Sequence, residues 1–182
     1  MDDKPLRLFT AIELPPDWIR AAEKRAGILK RAGVKGRFTP SDRLHLTVNF
    51  LGECPLLQEV MGTLEALKGQ PAPRLVLDRP GFFKRREGGH ILVWHLEQDA
   101  RLLDYQRKEA DLLARLGLRL DGRPYKPHLT LARQVFHAPE NLQDLLPPPR
   151  PFTAREVVLF SSEFEDRRLI YQPLARWPFA FD

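Results

Sequence analysis

A histidine and a threonine two residues apart occur twice in this chain, each time in an apolar stretch. "RLHLTVNFLG" contains His45 and Thr47, and "KPHLTLAR" contains His128 and Thr130. Imidazole loses its proton near pH 6.5, so one ring can accept a proton while another donates one. The threonine hydroxyls can donate hydrogen bonds to a phosphoryl group lying between them. The repeated pair indicates acid–base chemistry at a phosphodiester, with one histidine on each side of phosphorus.

Both motifs fit β-strands, because apolar and polar residues alternate in each. His45 and Thr47 then share one face, while Leu46 and Val48 share the other. The same alternation holds in the second motif. About half the chain separates the two histidines, which indicates two similar lobes with one motif each, at 45–48 and 128–131.

The elements around the motifs predict an α+β fold in a single bilobal domain over residues 1–182. Helical periodicity predicts helices at 17–33, 56–67 and 99–116. Alternation and turn residues predict strands between them, among them "RLVLDRPGFF" and "HILVWHLE", and a hairpin that closes the chain.

Composition restricts the class of protein. The 29 lysines and arginines against 24 aspartates and glutamates give a net charge of +5, which is compatible with a phosphate-bearing partner without identifying one. The single cysteine, Cys54, excludes an intrachain disulfide and a cysteine-rich zinc site. With no signal-peptide core and no long apolar run, we expect a cytoplasmic protein that contacts no membrane. With no dimerisation stripe, a monomer is the default expectation.

Two other chemistries are weaker readings of the same residues. His45 and His128 could be two metal ligands, but zinc needs at least three protein ligands, and neither motif has an aspartate or glutamate beside its histidine. Cys54 could act as a nucleophile, but it lies in an element-end turn with no motif around it.

The two motifs resemble those of the 2H phosphoesterase superfamily, which is characterised by its two histidines. The flanking stretches "RLFTAIELP", "RPYKPHLTLAR" and "FSSEFEDRRLIYQPL" are similar to the bacterial and archaeal RNA 2′,3′-cyclic phosphodiesterases, also called 2′-5′ RNA ligases. The resemblance covers about residues 6–176. It implies two lobes related by a pseudo-two-fold axis, with antiparallel sheets facing a central cleft and helices outside.

The resemblance also implies an activity and residue roles. RNA ending in a 2′,3′-cyclic phosphate (tRNA fragments are one candidate source), or a nucleoside 2′,3′-cyclic phosphate, is hydrolysed to a 2′-phosphate without metal or cofactor. A weak reverse reaction ligates RNA. By position His45 resembles the proton donor and His128 the proton acceptor, a division that sequence alone does not decide. Thr47, Thr130 and Arg133 match phosphate-binding residues.

Two alternatives stay open: a non-catalytic module that binds RNA ends or nucleotides, and a relative that acts on another cyclic phosphate, such as ADP-ribose cyclic phosphate. Around the motifs, strict alternation puts Arg133 on the face opposite His128 unless the strand bulges first. We expect Phe50 and Trp94 in the core. His90 and His95 are expected at an edge or on the surface.

Overall fold

The computed structural model describes residues 5–145 and 147–181. In that part of the chain the strands are β1 (Leu6–Glu13), β2 (Arg37–Phe38), β3 (His45–Cys54), β4 (Arg74–Leu75), β5 (Leu77–Phe83), β6 (His90–Leu96), β7 (His128–Val135), β8 (Phe152–Thr153), β9 (Glu156–Glu165) and β10 (Arg168–Pro178). The helices are α1 (Pro16–Arg31), α2 (Leu57–Leu64), α3 (Ala100–Arg115) and the short α4 (Leu142–Leu145).

Eight of the strands form one antiparallel sheet. Its order is β10-β9-β1-β3-β7-β6-β5, and β2 pairs along β7. Strands β4 and β8 form a separate small pair. Strands β3 and β7, which carry the two motifs, are neighbours joined through one residue pair, Leu46 with Leu129. The predicted α+β class is confirmed, whereas the division into two lobes stays a prediction.

The main core lies on one face of the sheet, between the strands and the helices. Alternation turns Leu46 and Val48 from β3, and Leu129 and Leu131 from β7, into this core, as predicted. Helix α3 begins after Asp99, whose carboxylate accepts a hydrogen bond from the backbone N–H of Leu102 at 2.9 Å. Its buried stripe consists of Leu102, Tyr105, Glu109 and Leu113.

The opposite face of the sheet carries a second, smaller apolar cluster. It is formed by Phe9 and Ala11 of β1 and by Val158 and Phe160 of β9, with Tyr171 of β10 packed against it. This is also the face that alternation assigns to the motif histidines and threonines. It therefore combines apolar aromatic surface with the polar side chains of the motifs.

The predicted helices and the closing β9–β10 hairpin are confirmed, with helix ends that differ by up to three residues. The 56–67 prediction consists of α2 followed by a short 3-10 turn at 65–67. Trp94 is buried in the core, as predicted. None of the helices in the described part of the chain is both long and apolar enough to cross a membrane.

Candidate active site

The two motifs meet at the centre of the sheet. Because β3 and β7 are antiparallel about the Leu46–Leu129 pair, the continued register points His45 towards Thr130 and Thr47 towards His128. All four side chains lie on the face away from the helices. The two copies of the motif are therefore brought to one place, as the sequence predicted.

The imidazole of His45 is held by hydrogen bonds at both ring nitrogens. Its Nδ1 lies 2.8 Å from the carbonyl oxygen of Arg43, and its Nε2 lies 2.9 Å from Oγ1 of Thr47. A carbonyl oxygen can only accept, so Nδ1 carries the hydrogen and Nε2 is the basic nitrogen of the neutral ring. The Thr47 hydroxyl then donates to Nε2.

The imidazole of His128 is oriented in the same way. Its Nδ1 lies 2.7 Å from the carbonyl oxygen of Lys126, again the residue two positions earlier in the chain. Nδ1 therefore donates, and Nε2 is the nitrogen that can take up or release a proton. The shared geometry means that both rings present the same atom for proton transfer.

Burial keeps protons off both rings. Desolvation lowers the pKa of His45 from 6.5 to about 4, against the hydrogen bond to the Arg43 carbonyl, which raises it; the charges of His128 and Arg133 lower it further. The pKa of His128 is also lowered, first by burial and then by the charges of His95 and Arg133, again against a backbone hydrogen bond that raises it. Both histidines are therefore mainly neutral in the free protein near pH 7.

A bulge in β7 decides where Arg133 lies. Thr130 pairs with Val93 and Ala132 pairs with Leu92, so Leu131 is the extra residue. Leu131 and Ala132 are both buried, and alternation resumes one residue late. Arg133 consequently returns to the face of His128, where its charge acts on both imidazoles.

A matching bulge in β3 makes our expectation for Phe50 wrong. Thr47 pairs with Ala11 and Asn49 with Thr10, which leaves Val48 as the extra residue. Phe50 is therefore on the same face as His45 and is 58% exposed, rather than buried in the core. Its ring lies 6.0 Å from that of Phe9, which in turn is 5.0 Å from the His45 ring.

His95 is a site residue that the sequence reasoning missed. We expected His90 and His95 at an edge or on the surface, but their strand β6 lies inside the sheet, between β7 and β5. Both histidines are half-buried. His95 pairs directly with His128 of β7. The signal was present in "HILVWHLE", whose alternation puts His95 on the face opposite Trp94, but only the strand order reveals that β6 adjoins β7.

Two further observations concern nucleophilic catalysis by Cys54 and metal binding. Cys54 is 1% exposed and belongs to the main core, on the helix side of the sheet. Among the described residues, no cluster of three or more histidine, cysteine, aspartate or glutamate side chains is arranged to hold a metal ion.

Comparison with known proteins identifies the family. A family model described as LigT-like phosphoesterase matches residues 96–171. The RNA 2′,3′-cyclic phosphodiesterase of Escherichia coli (strain K12) is 33% identical over 185 residues, which cover 96% of this chain and 97% of that protein. The chain belongs to the LigT-like phosphoesterase family of enzymes.

Other members support this LigT-like assignment. The RNA 2′,3′-cyclic phosphodiesterase of Thermus thermophilus is 35% identical over 144 residues, covering 74% of this chain and 71% of that protein. The structure of E. coli LigT in apo form superposes with a TM-score of 0.78 at 31% identity, covering 97% of this chain and 99% of that one. The E. coli protein has also been solved in complex with 3′-AMP, with a TM-score of 0.78.

Proposed function

We propose that this protein hydrolyses the 2′,3′-cyclic phosphate at the end of RNA to a 2′-phosphate by acid–base catalysis with His45 and His128. The observation that carries the proposal is the matched orientation of the two imidazoles. Each donates Nδ1–H to the carbonyl two residues earlier and keeps Nε2 for proton transfer. The names of the E. coli and Thermus relatives support the substrate class.

In the proposed reaction, Nε2 of His128 takes a proton from water as the water oxygen bonds to phosphorus. The bond from phosphorus to the 3′-oxygen breaks, and Nε2 of His45 gives a proton to that oxygen. The product is a 3′-hydroxyl beside a 2′-phosphate. Thr47 and Thr130 donate hydrogen bonds to the phosphoryl oxygens, and Arg133 balances their negative charge. If a 5′-hydroxyl of RNA replaces water, the same steps form a 2′-5′ linkage, which is the proposed weak ligation.

To act as the proton donor, His45 must become protonated when the substrate binds. His45 is neutral in the free protein, but the negative phosphate favours its charged form. The strong lowering of the His45 pKa also supports a second division of roles, in which His45 accepts the proton and His128 donates it. A substrate with sulfur in place of the 3′-oxygen decides between them, because a thiolate leaves without a proton. That substrate restores turnover to whichever alanine variant lacks the acid.

The primary experiment is hydrolysis of a nucleoside 2′,3′-cyclic phosphate in the presence of excess chelator. We expect turnover to persist with a 2′-phosphate product, a bell-shaped pH profile, and a loss of about 10²-fold or more in His45→Ala or His128→Ala. The matched control is His137→Ala, which removes an exposed histidine outside the two motifs. Activity abolished by the chelator would refute the metal-free mechanism.

Binding measurements and a second substrate distinguish the two alternative functions. A binding module would retain affinity for the RNA end in both histidine variants and show no turnover at any pH. A higher kcat/KM for ADP-ribose cyclic phosphate than for an RNA end would reassign the substrate while keeping the mechanism. We also expect a monomer in the cytoplasm, which size-exclusion chromatography and cell fractionation test.

A further inference from the structure

The two sides of the candidate active site differ in chemistry. On the side of His45 the neighbours are aromatic: the Phe9 ring is 5.0 Å away and the Tyr171 ring 5.4 Å away, with Phe50 exposed beyond Phe9. On the side of His128 the Phe83 ring is 4.6 Å away, but the titratable neighbours are basic: His95, Arg133 and Lys126. Aromatic rings suit a nucleobase, whereas basic side chains suit a phosphate.

His95 forms the inner part of this basic side. It pairs with His128 across β6 and β7, and its ring lies over Gly81 of β5. A Cβ atom at Gly81 would lie 2.8 Å from Nε2 of His95, so glycine leaves the room that the ring occupies. The ring of Phe83 stands edge-on to both imidazoles, 5.5 Å from His95 and 4.6 Å from His128. The position of His95 is thus defined on two sides.

A bulge in β5 brings a guanidinium to the same place. Leu77 pairs with Leu96 and Pro80 with Trp94, so three steps on β5 match two on β6. The exposed residues between them, Asp78 and Arg79, lie beside His95. They form a loose ion pair with 3.8 Å between Nη1 of Arg79 and Oδ2 of Asp78, both side chains being well exposed.

The charges that act on His95 come from two segments, β5 and the stretch that leads into β7. Burial is the main cause that lowers its pKa, followed by the positive charge of Arg79; Asp78 opposes this, and Lys126 adds to it. Lys126 belongs to the segment that leads into β7, and its carbonyl holds His128 at 2.7 Å. Arg79 and Lys126 therefore both act on His95, which lies next to His128, and the one carboxylate that opposes them, Asp78, pairs only loosely with Arg79.

We propose that Arg79, His95 and Lys126 form a second phosphate-binding site beside His128. Its ligand is the phosphodiester that links the terminal nucleotide of an RNA to the preceding one. The inference rests on the proposed function: with the cyclic phosphate between His45 and His128 and the terminal base on the aromatic side, the next phosphate leaves along the basic side. The enzyme is then selective for oligonucleotide ends over mononucleotides.

The test compares kcat/KM for a dinucleotide that ends in a 2′,3′-cyclic phosphate with kcat/KM for the nucleoside 2′,3′-cyclic phosphate. We expect the unmodified protein to prefer the dinucleotide. Arg79→Gln lowers the dinucleotide value about five-fold and leaves the mononucleotide value within about two-fold. Arg79→Gln also reduces the slope of log kcat/KM against log salt by about 0.7, the loss of one contact to a single strand.

The control is Arg107→Gln, which removes the same charge from the exposed surface of α3, on the other side of the sheet. The proposal is overturned if the two substrates lose activity in parallel, or if Arg107→Gln lowers the dinucleotide value equally. If the unmodified protein turns over neither substrate, the proposed function fails. Fluorescence anisotropy of a labelled dinucleotide then still decides the second site, since Arg79→Gln must weaken binding and Arg107→Gln must not.

Discussion

Replacing Glu109 with glutamine should change how the stability of the protein depends on pH. Glu109 is fully buried on α3, beneath the bulge of β3. Its Oε1 accepts hydrogen bonds from the Thr10 hydroxyl and, at 3.1 Å, from Nδ2 of Asn49. Its Oε2 is buried as well. Thr10 in turn accepts the backbone N–H of Asn49 at 3.1 Å, which replaces a ladder bond at the bulge.

The magnitude follows from the pKa of this carboxyl group. Burial raises the pKa of Glu109 from 4.5 to about 7, although the hydrogen bonds from Thr10, Asn49 and Tyr105 lower it. Between these two values the unfolded chain releases a proton that the folded protein retains, so stability falls as pH rises and the loss is complete above about pH 7. At about 1.4 kcal/mol for each pH unit between the two values, the loss is about 3 kcal/mol.

The assay is equilibrium unfolding in urea, followed by tryptophan fluorescence from about pH 4 to about pH 8. Glu109→Gln cannot ionise, so its free energy of unfolding should rise relative to the unmodified protein by about 3 kcal/mol across this range. If the glutamine amide changes the free energy of unfolding by the same amount at every pH, the whole curve shifts and the change in this difference with pH stays the same. Asp111→Asn, on the exposed side of the same helix, is the control and should leave the pH dependence unchanged. Parallel curves for Glu109→Gln and the unmodified protein would refute a buried neutral carboxyl group.

Three further predictions concern the candidate active site. The Tyr125 hydroxyl donates a hydrogen bond to the backbone carbonyl of Thr47 at 2.8 Å. Tyr125→Phe should therefore lower the free energy of unfolding in urea by about 1 kcal/mol. It should also lower kcat more than it raises KM. Phe50→Ala should raise KM for a nucleoside 2′,3′-cyclic phosphate about ten-fold in steady-state kinetics, because stacking of a base on an aromatic ring contributes about 1–3 kcal/mol. The free energy of unfolding should change by less than about 0.5 kcal/mol, because the ring is exposed. Inorganic phosphate should raise the pKa of His45 in an NMR titration, and a pKa that stays near 4 with phosphate bound would contradict its role as proton donor.

Much of this molecule could be predicted from local patterns. Periodicity located α1, α2 and α3, because each helix must bury one apolar stripe. Period-two alternation assigned the leucines of both motifs to the core and their histidines and threonines to the other face. The repetition of His-Leu-Thr is itself the strongest clue to the site, since it is visible without knowing where the strands lie.

What the sequence alone determined is therefore the pair of motif strands, the residues that they present and the chemistry of those residues. The tertiary structure decided which side chains join them. Bulges at Val48 and Leu131 turn Phe50 and Arg133 towards the histidines, and the sheet order sets His95 beside His128. A bulge depends on the register with the neighbouring strand, and that neighbour lies far away in the chain. The local spacing of residues therefore predicts neither the bulges nor the strand order.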